Sequence, residues 1–484
     1  MSRLVIGSID LAVGLPPELL TEELWSHVQR VAGSRGEVVH WIEKRWGPIT
    51  IAPEARGPDT VVLLVRDRQG KPVPIVESEF PPGGSDEIAL GYLIGRLLCR
   101  GILSADAVRR APSLPNGRHL TELRGVEIAT MPQALHEALE ELHVIGFTGM
   151  PDGPPGVPLW IEGGPALATH EPSAEDLCAE IEELLARMVE KFRLSRHGPT
   201  RFGEVTLTPE VIPVDAIPSA IAAGAAQGSE STLAIKLTSR DWSRGYPDLP
   251  LLQWILIHLM RPRRRHVFLP MRSLLVLPRA IPRAGLLPAG DHLADLSAVR
   301  HQLMPAKIAQ ILGDLHRRGG DPREPLARQR ANGSGTGVEL RFGPLRFPTT
   351  RPDRDTLLEE AREAIAPLAD LFRTEGGGEA KYGPVTLDIQ ARGSNEIDFV
   401  SAEFLPGCPD EILCEFLVAT WLRNGSIPLS AVQRARRIGR RTVVAAPTIQ
   451  RQLAPSGTVD LVEAIHSGRV GPDRRSSGWK YRIE

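Results

Sequence analysis

At 484 residues the chain exceeds what one hydrophobic core can organise, and its 42% hydrophobic and 24% charged residues exclude a largely disordered polymer. A net charge of -2 supplies no global field to gather a polyanion, so nucleic acid is a secondary candidate partner behind another protein. Cys99, Cys178, Cys408 and Cys414 form no CxxC pair, which excludes a disulfide framework and points to a reducing, cytoplasmic setting.

In chain order, residues 4–12 read as an opening strand, and a helix is expected after them. The segment Arg45-Trp46-Gly47-Pro48-Ile49-Thr50-Ile51 then places a basic residue, an aromatic and a glycine ahead of a β-branched run. Residues 60–67, the turn 68–71 and residues 72–80 predict strand, turn and strand. A Gly-x-x-Asp corner at Gly83 and Asp86, with Glu87 beside it, starts a helix that is apolar on nearly every side, through Leu90, Tyr92, Leu93, Ile94, Leu97 and Leu98. Such a helix is expected to be buried. A strand at 126–128 and a helix at 132–142 close the unit.

The same order returns twice. Strand 158–167, helix 175–192, Arg201-Phe202-Gly203 and the corner Gly245 with Asp248 make the second copy. Strand 338–347, helix 354–372, Lys381-Tyr382-Gly383 and the corner Gly407 with Asp410 and Glu411 make the third, closed by a strand at 442–446 and a helix at 459–466. Gly83, Gly245 and Gly407 stand 162 positions apart, and residues 79–111 match 403–435 at 14 of 33 positions, where unrelated segments share about two. The first copy holds 12 more residues in its strand region than the third, the size of one hairpin arm. The fold class is therefore α+β: three tandem diverged repeats of a β-α-β-β-α(-β-α) unit with small, mostly antiparallel sheets. The boundaries are 1–155, 156–330 and 331–484. The second copy carries an apparent insert at about 278–326 with an amphipathic helix at 293–316.

Candidate chemistry is sparse. Glu79, Asp86 and Glu87, with their counterparts Glu403, Asp410 and Glu411, are clustered carboxylates that general acid/base work or a divalent cation would need. The alternative, favoured because Leu249 replaces the glutamate in the second copy, is negative charge beside the open N–H groups of a helix start. His136, Glu140 and His143 share one helical face and are metal-competent, yet Leu135, Leu139 and Leu142 mark the buried face opposite, so a solvated polar face is expected. The basic-aromatic-glycine element lacks the further glycines of a phosphate loop, and it is taken as a strand entry with a packed aromatic. Arginines follow the buried helix in two copies: Arg261, Arg263, Arg264 and Arg265, then Arg434, Arg436 and Arg437. They are a possible binding surface for a polyanion or an acidic protein. No catalytic residue and no cofactor is assigned. The longest apolar stretch, 251–260, is too short for the ~20 residues of a membrane span. A non-catalytic interaction or assembly protein is the expected function; a nucleic-acid-associated protein and an enzyme at the acidic corner are the alternatives.

Overall fold

The computed structural model describes residues 2–33, 48–67, 69–76, 80–131, 135–139, 155–194, 198–221, 230–261, 274–318, 337–375, 378–402, 404–435, 437–438, 441–454 and 461–462. Three sheets share one topology. The first orders β1 (Ser2–Ile6), β2 (Ile9–Val13), β3 (Ala52–Ala55) and β4 (Thr60–Arg66) as β2-β1-β4-β3, with β5 (Pro72–Pro74) paired antiparallel to the end of β4. The second orders β6 (Leu159–Ile161), β7 (Ala166–Leu167), β8 (Thr208–Pro213) and β9 (Leu233–Thr238) as β7-β6-β9-β8. The third orders β10 (Glu339–Phe342), β11 (Leu345–Pro348), β12 (Asp388–Arg392) and β13 (Glu396–Val400) as β11-β10-β13-β12.

Each of these three sheets is mixed. The opening hairpin and the outer hairpin are antiparallel, and the central pair is parallel: Leu4 with Val61, Leu159 with Ile235, Leu340 with Ile397. The single opening strand expected from sequence is thus a two-strand hairpin in each copy. In the first copy each strand of that hairpin alternates buried and less buried residues, and a tight turn at Gly7 (φ +60°) joins them. The extra arm expected in the first copy is present as β5.

Between the two hairpins a long helix crosses one sheet face. Its buried positions recur: Leu177, Ile181, Leu185, Met188 and Phe192 in Ala174–Leu194 match Leu357, Ala361, Ile365, Leu368 and Phe372 in Arg354–Thr374. Pro17–Gly33 presents Leu20, Leu24, Val28 and Val31 at the same steps. That is the stripe of an amphipathic helix on a sheet. Ser173 Oγ and the Asp353 carboxylate accept from N–H groups of the opening turns of their helices, satisfying donors that helix geometry leaves open.

The corner helices are Ser85–Cys99, Asp248–Leu259 and Pro409–Arg423. Eleven of the twelve residues of the second are buried, in agreement with their all-round apolar sequence. The closing strand expected at 126–128 is instead part of a helix over Arg124–Thr130; of the one expected at 442–446 only Thr442 is in a strand (Arg441–Thr442, paired with Arg437–Ile438), and a 3-10 turn over Val443–Ala445 leads into the helix Pro447–Leu453. Short apolar runs do not separate strand from buried helix by periodicity. The helix expected at 293–316 is divided into Leu293–Asp295, Ser297–Gln302 and Ala306–Arg318, because Pro305 cannot continue the hydrogen-bond ladder.

The chain separates into two compact units. One is Met1–Gln133 with His316–Ser334 and Trp421–Glu484, and the other is Ala134–Leu315 with Gly335–Thr420. The first sheet lies with the tail of the third copy in one unit, and the second and third sheets lie in the other. Among the described residues no helix is long and apolar enough to cross a membrane.

Candidate functional site

The two sequence landmarks of each copy meet. The corner aspartate accepts hydrogen bonds from the threonine that follows the basic-aromatic-glycine element. Thr50 N and Oγ1 both donate to Asp86 at 2.6 Å, with Ile51 N at 3.1 Å. Thr206 N and Oγ1 reach Asp248 at 2.9 and 2.5 Å, and Ser239 Oγ adds a third bond at 2.6 Å. In the third copy Thr386 N, Thr386 Oγ1 and Ser401 Oγ reach Asp410 at 3.0, 2.6 and 2.6 Å. The threonine hydroxyl also accepts from Arg240 N and Ala402 N, both at 3.0 Å. These aspartates lie in the first turn of their helices, but the carboxylates point back to clamp the strand entry. Neither Gly84 nor Pro247, the residues preceding the first two corner helices, makes a side-chain cap.

Glu87 is buried and fully engaged. Its Oε2 accepts from Gly83 N and Arg118 Nη1, both at 2.6 Å, and its Oε1 accepts from Asn116 Nδ2 at 2.8 Å. The second copy reverses the charges, placing Arg244 at the corner 2.7 Å from Asp291, the residue equivalent to Arg118. Glu411 accepts from Gly407 N. Glu79 and Glu403 lie outside the described residues.

Reading the sequence alone misses two histidines. Residues 110–126 and 283–299 are identical at 9 of 17 positions, including Leu-Pro-x-Gly-x-His-Leu, so the apparent insert contains the second copy's counterpart of this segment. His119 Nε2 and His292 Nε2 donate to Ala111 O and Ala284 O at 2.8 Å, while their Nδ1 atoms accept from Thr121 N and Ala294 N. Both rings brace a 3-10 turn. The offset of 173 between these heptapeptides is the signal that would have found them.

That 3-10 turn and the helix after it form a tail that packs on a corner. In one unit the second copy's tail covers the third copy's corner: a Cβ at Gly407 would lie 2.6 Å from Leu303 Cδ1 and 2.8 Å from Ala294 Cβ. There Arg300, only 2% exposed, pairs with Glu415 and stands 3.5 Å from Glu411. In the other unit the third copy's tail covers the first copy's corner through the equivalent residues. A Cβ at Gly83 would meet Leu453 Cδ1 at 2.8 Å and Val444 Cβ at 3.5 Å.

Of the arginine clusters, Arg261 is 8% exposed at the end of its corner helix, and burial lowers its pKa to about 10. Arg434 is exposed, the side chain of Arg437 is not described, and Arg263, Arg264, Arg265 and Arg436 lie outside the described residues. Lys381 is buried against the Tyr382 ring, 4.7 Å from its centroid. Burial lowers the Lys381 pKa to about 8, helped by the charge of Arg261, although Glu375 opposes the shift. The packed aromatic expected at the strand entry is present: Phe202 meets Phe192 and Tyr382 meets Phe372, at 6.4 and 5.8 Å between ring centroids. His136 lies on a helical turn whose Leu135 and Leu139 are buried, and Glu140 and His143 lie outside the described residues. Among the described residues no three His, Cys, Asp or Glu side chains group as metal ligands, and the four cysteines are free. Burial raises the Cys408 pKa to about 12, which makes it unreactive as a thiolate at neutral pH.

No protein-family model, no curated protein and no solved structure matches the chain.

Proposed function

We propose that the chain is a non-catalytic interaction or assembly protein whose three α+β units are frames for partner-binding surfaces. One observation carries this reading: in all three copies the corner aspartate is saturated by a threonine N–H and hydroxyl of its own unit. A carboxylate held this way braces a strand entry and is a poor general base. The frame recurs while the outer sheet faces diverge. The third carries a lattice of ion pairs, Arg341–Glu396, Arg346–Glu339 and Arg392–Asp398. The second carries Lys236 over the Trp160 ring and paired with Glu162 at 2.7 Å. Repetition of the brace with divergence of the surface supports binding rather than chemistry, and a protein rather than a polyanion, since Arg261 is buried.

The test is crosslinking in the native cell followed by gel filtration. The expected result is a protein partner at fixed stoichiometry. Recovery of nucleic acid that is released by salt would overturn the reading. So would an activity abolished by replacing Asp86, Asp248 and Asp410 with Asn while the melting temperature is unchanged.

A further inference from the structure

The two tail-on-corner contacts are equivalent residue for residue, and they differ at one place. Leu303 and Ala294 on Gly407 correspond to Leu453 and Val444 on Gly83 at a constant offset of 150 in the tail and 324 at the corner. By the same offsets Arg300 corresponds to Gln450, and its buried partner Glu415 corresponds to Gly91. One contact is therefore filled by an arginine and a glutamate side chain. The other replaces them with an amide and a hydrogen atom, and a cavity of about 60 Å³ opens there, lined by Gly91, Ile88, Leu123, Arg124, Gln450 and Val462 among others.

The charges around this cavity do not cancel. Glu87 and Arg118 neutralise each other across 2.6 Å, and Arg118 Nη2 is further engaged by Glu122 O. Arg124 has no acidic partner among the described residues, and its buried Nε makes no hydrogen bond. In the second copy Gln253, equivalent to Gly91, turns its Oε1 onto the tail N–H of Ala298 at 3.0 Å, whereas at Gly91 the tail comes closer, so that a Cβ there would lie 3.1 Å from Leu123 Cβ. The cavity lining thus combines the cation of Arg124 and the amide of Gln450 with apolar Ile88, Leu123 and Val462. A site that is mostly apolar with a few convergent polar groups is the usual form of a small-ligand pocket.

We propose that this cavity binds a short aliphatic carboxylate, of the size of the glutamate side chain that the equivalent contact contains, with its oxygens toward Arg124 and its methylenes against Ile88, Leu123 and Val462. The inference does not depend on the proposed function.

The probe is propionate, titrated into the full-length chain and followed by ligand-observed NMR, with propionamide as the neutral isostere. Saturable binding is expected in the millimolar range, because the ligand has so few atoms, with propionamide at least tenfold weaker. Arg124→Gln should erase the difference between the two ligands, and Ala454→Leu, which adds volume at the rim, should weaken both. Melting curves identify any variant that fails to fold. For a misfolded Arg124→Gln, Arg124→Lys replaces it and should retain the preference for the acid. Absence of saturation by propionate, equal binding of acid and amide, or an unchanged preference in a folded Arg124→Gln chain would each overturn the proposal.

Discussion

The buried carboxylate of Asp410 holds three donors, so its removal should cost more than any one bond. Asp410→Ala leaves Thr386 N–H without an acceptor, and about 3 kcal/mol of destabilisation is expected; Thr386→Val removes one hydroxyl and should cost about 1 kcal/mol. The double variant should be less than additive, because both changes act on one network. Urea unfolding of the four chains checks this, and strict additivity would show that Asp410 and Thr386 are not energetically coupled. Lys381 supplies a prediction in pH. Its folded pKa of about 8 lies below the unfolded value near 10.4, so between those values the unfolded chain keeps a proton that the folded chain has released. Stability should then rise with pH across that window, and Lys381→Met should flatten the rise relative to the parent chain. His27 acts at the other end of the scale. Burial lowers its pKa, and it stands 2.8 Å from Glu23, whose own pKa is lowered with Arg100 as a partner. Below the ordinary imidazole value near 6.5 the unfolded chain takes up a proton that the folded chain resists, so stability should fall with acid, and calorimetry of His27→Gln should show a shallower loss.

At the scale of elements, the corner glycines Gly83 and Gly407 have two separable reasons to be glycine. Gly407 has φ +78° and a tail pressed against it, whereas Gly393 has φ +59° at a hairpin turn, and a Cβ added there would meet no atom within 4 Å. Gly393→Ala should therefore cost only the left-handed backbone term of about 1 kcal/mol, and Gly407→Ala about 3 kcal/mol, since Leu303 and Ala294 must also move. Equal melting temperatures for the two variants would contradict the close packing. The same comparison explains the closing segments. A run such as Val443-Val444-Ala445-Ala446 fits a strand by residue type, and it is helical because the preceding turn and the corner it covers require that geometry.

For the whole molecule, the first sheet shares its unit with the end of the chain. Val444, Ile449 and Leu453 are buried in the tail that covers the Gly83 corner, and Leu461 and Val462 join the core of the first copy. A fragment of residues 1–133 alone should melt below the full-length chain and expose apolar surface to a fluorescent dye. Adding residues 421–484 in trans should raise its melting temperature saturably, and no rise would contradict this division of the chain.

The amino-acid sequence by itself pointed to an α+β protein with recurring segments, to buried corner helices, and to an added hairpin arm near the N-terminal strands. Those features are periodic or recur at fixed offsets, and both signals survive without knowledge of contacts. It also held both landmarks of the brace. Only the tertiary structure joined Asp410 to Thr386, because a hydrogen bond across 24 residues has no periodicity to reveal it. The mixed sheet order, the recurrence hidden in the apparent insert, and the cavity left where Gly91 and Gln450 replace a buried ion pair were likewise decided in three dimensions. Each depends on which surfaces touch, and contact between distant segments is a property of packing rather than of local residue pattern.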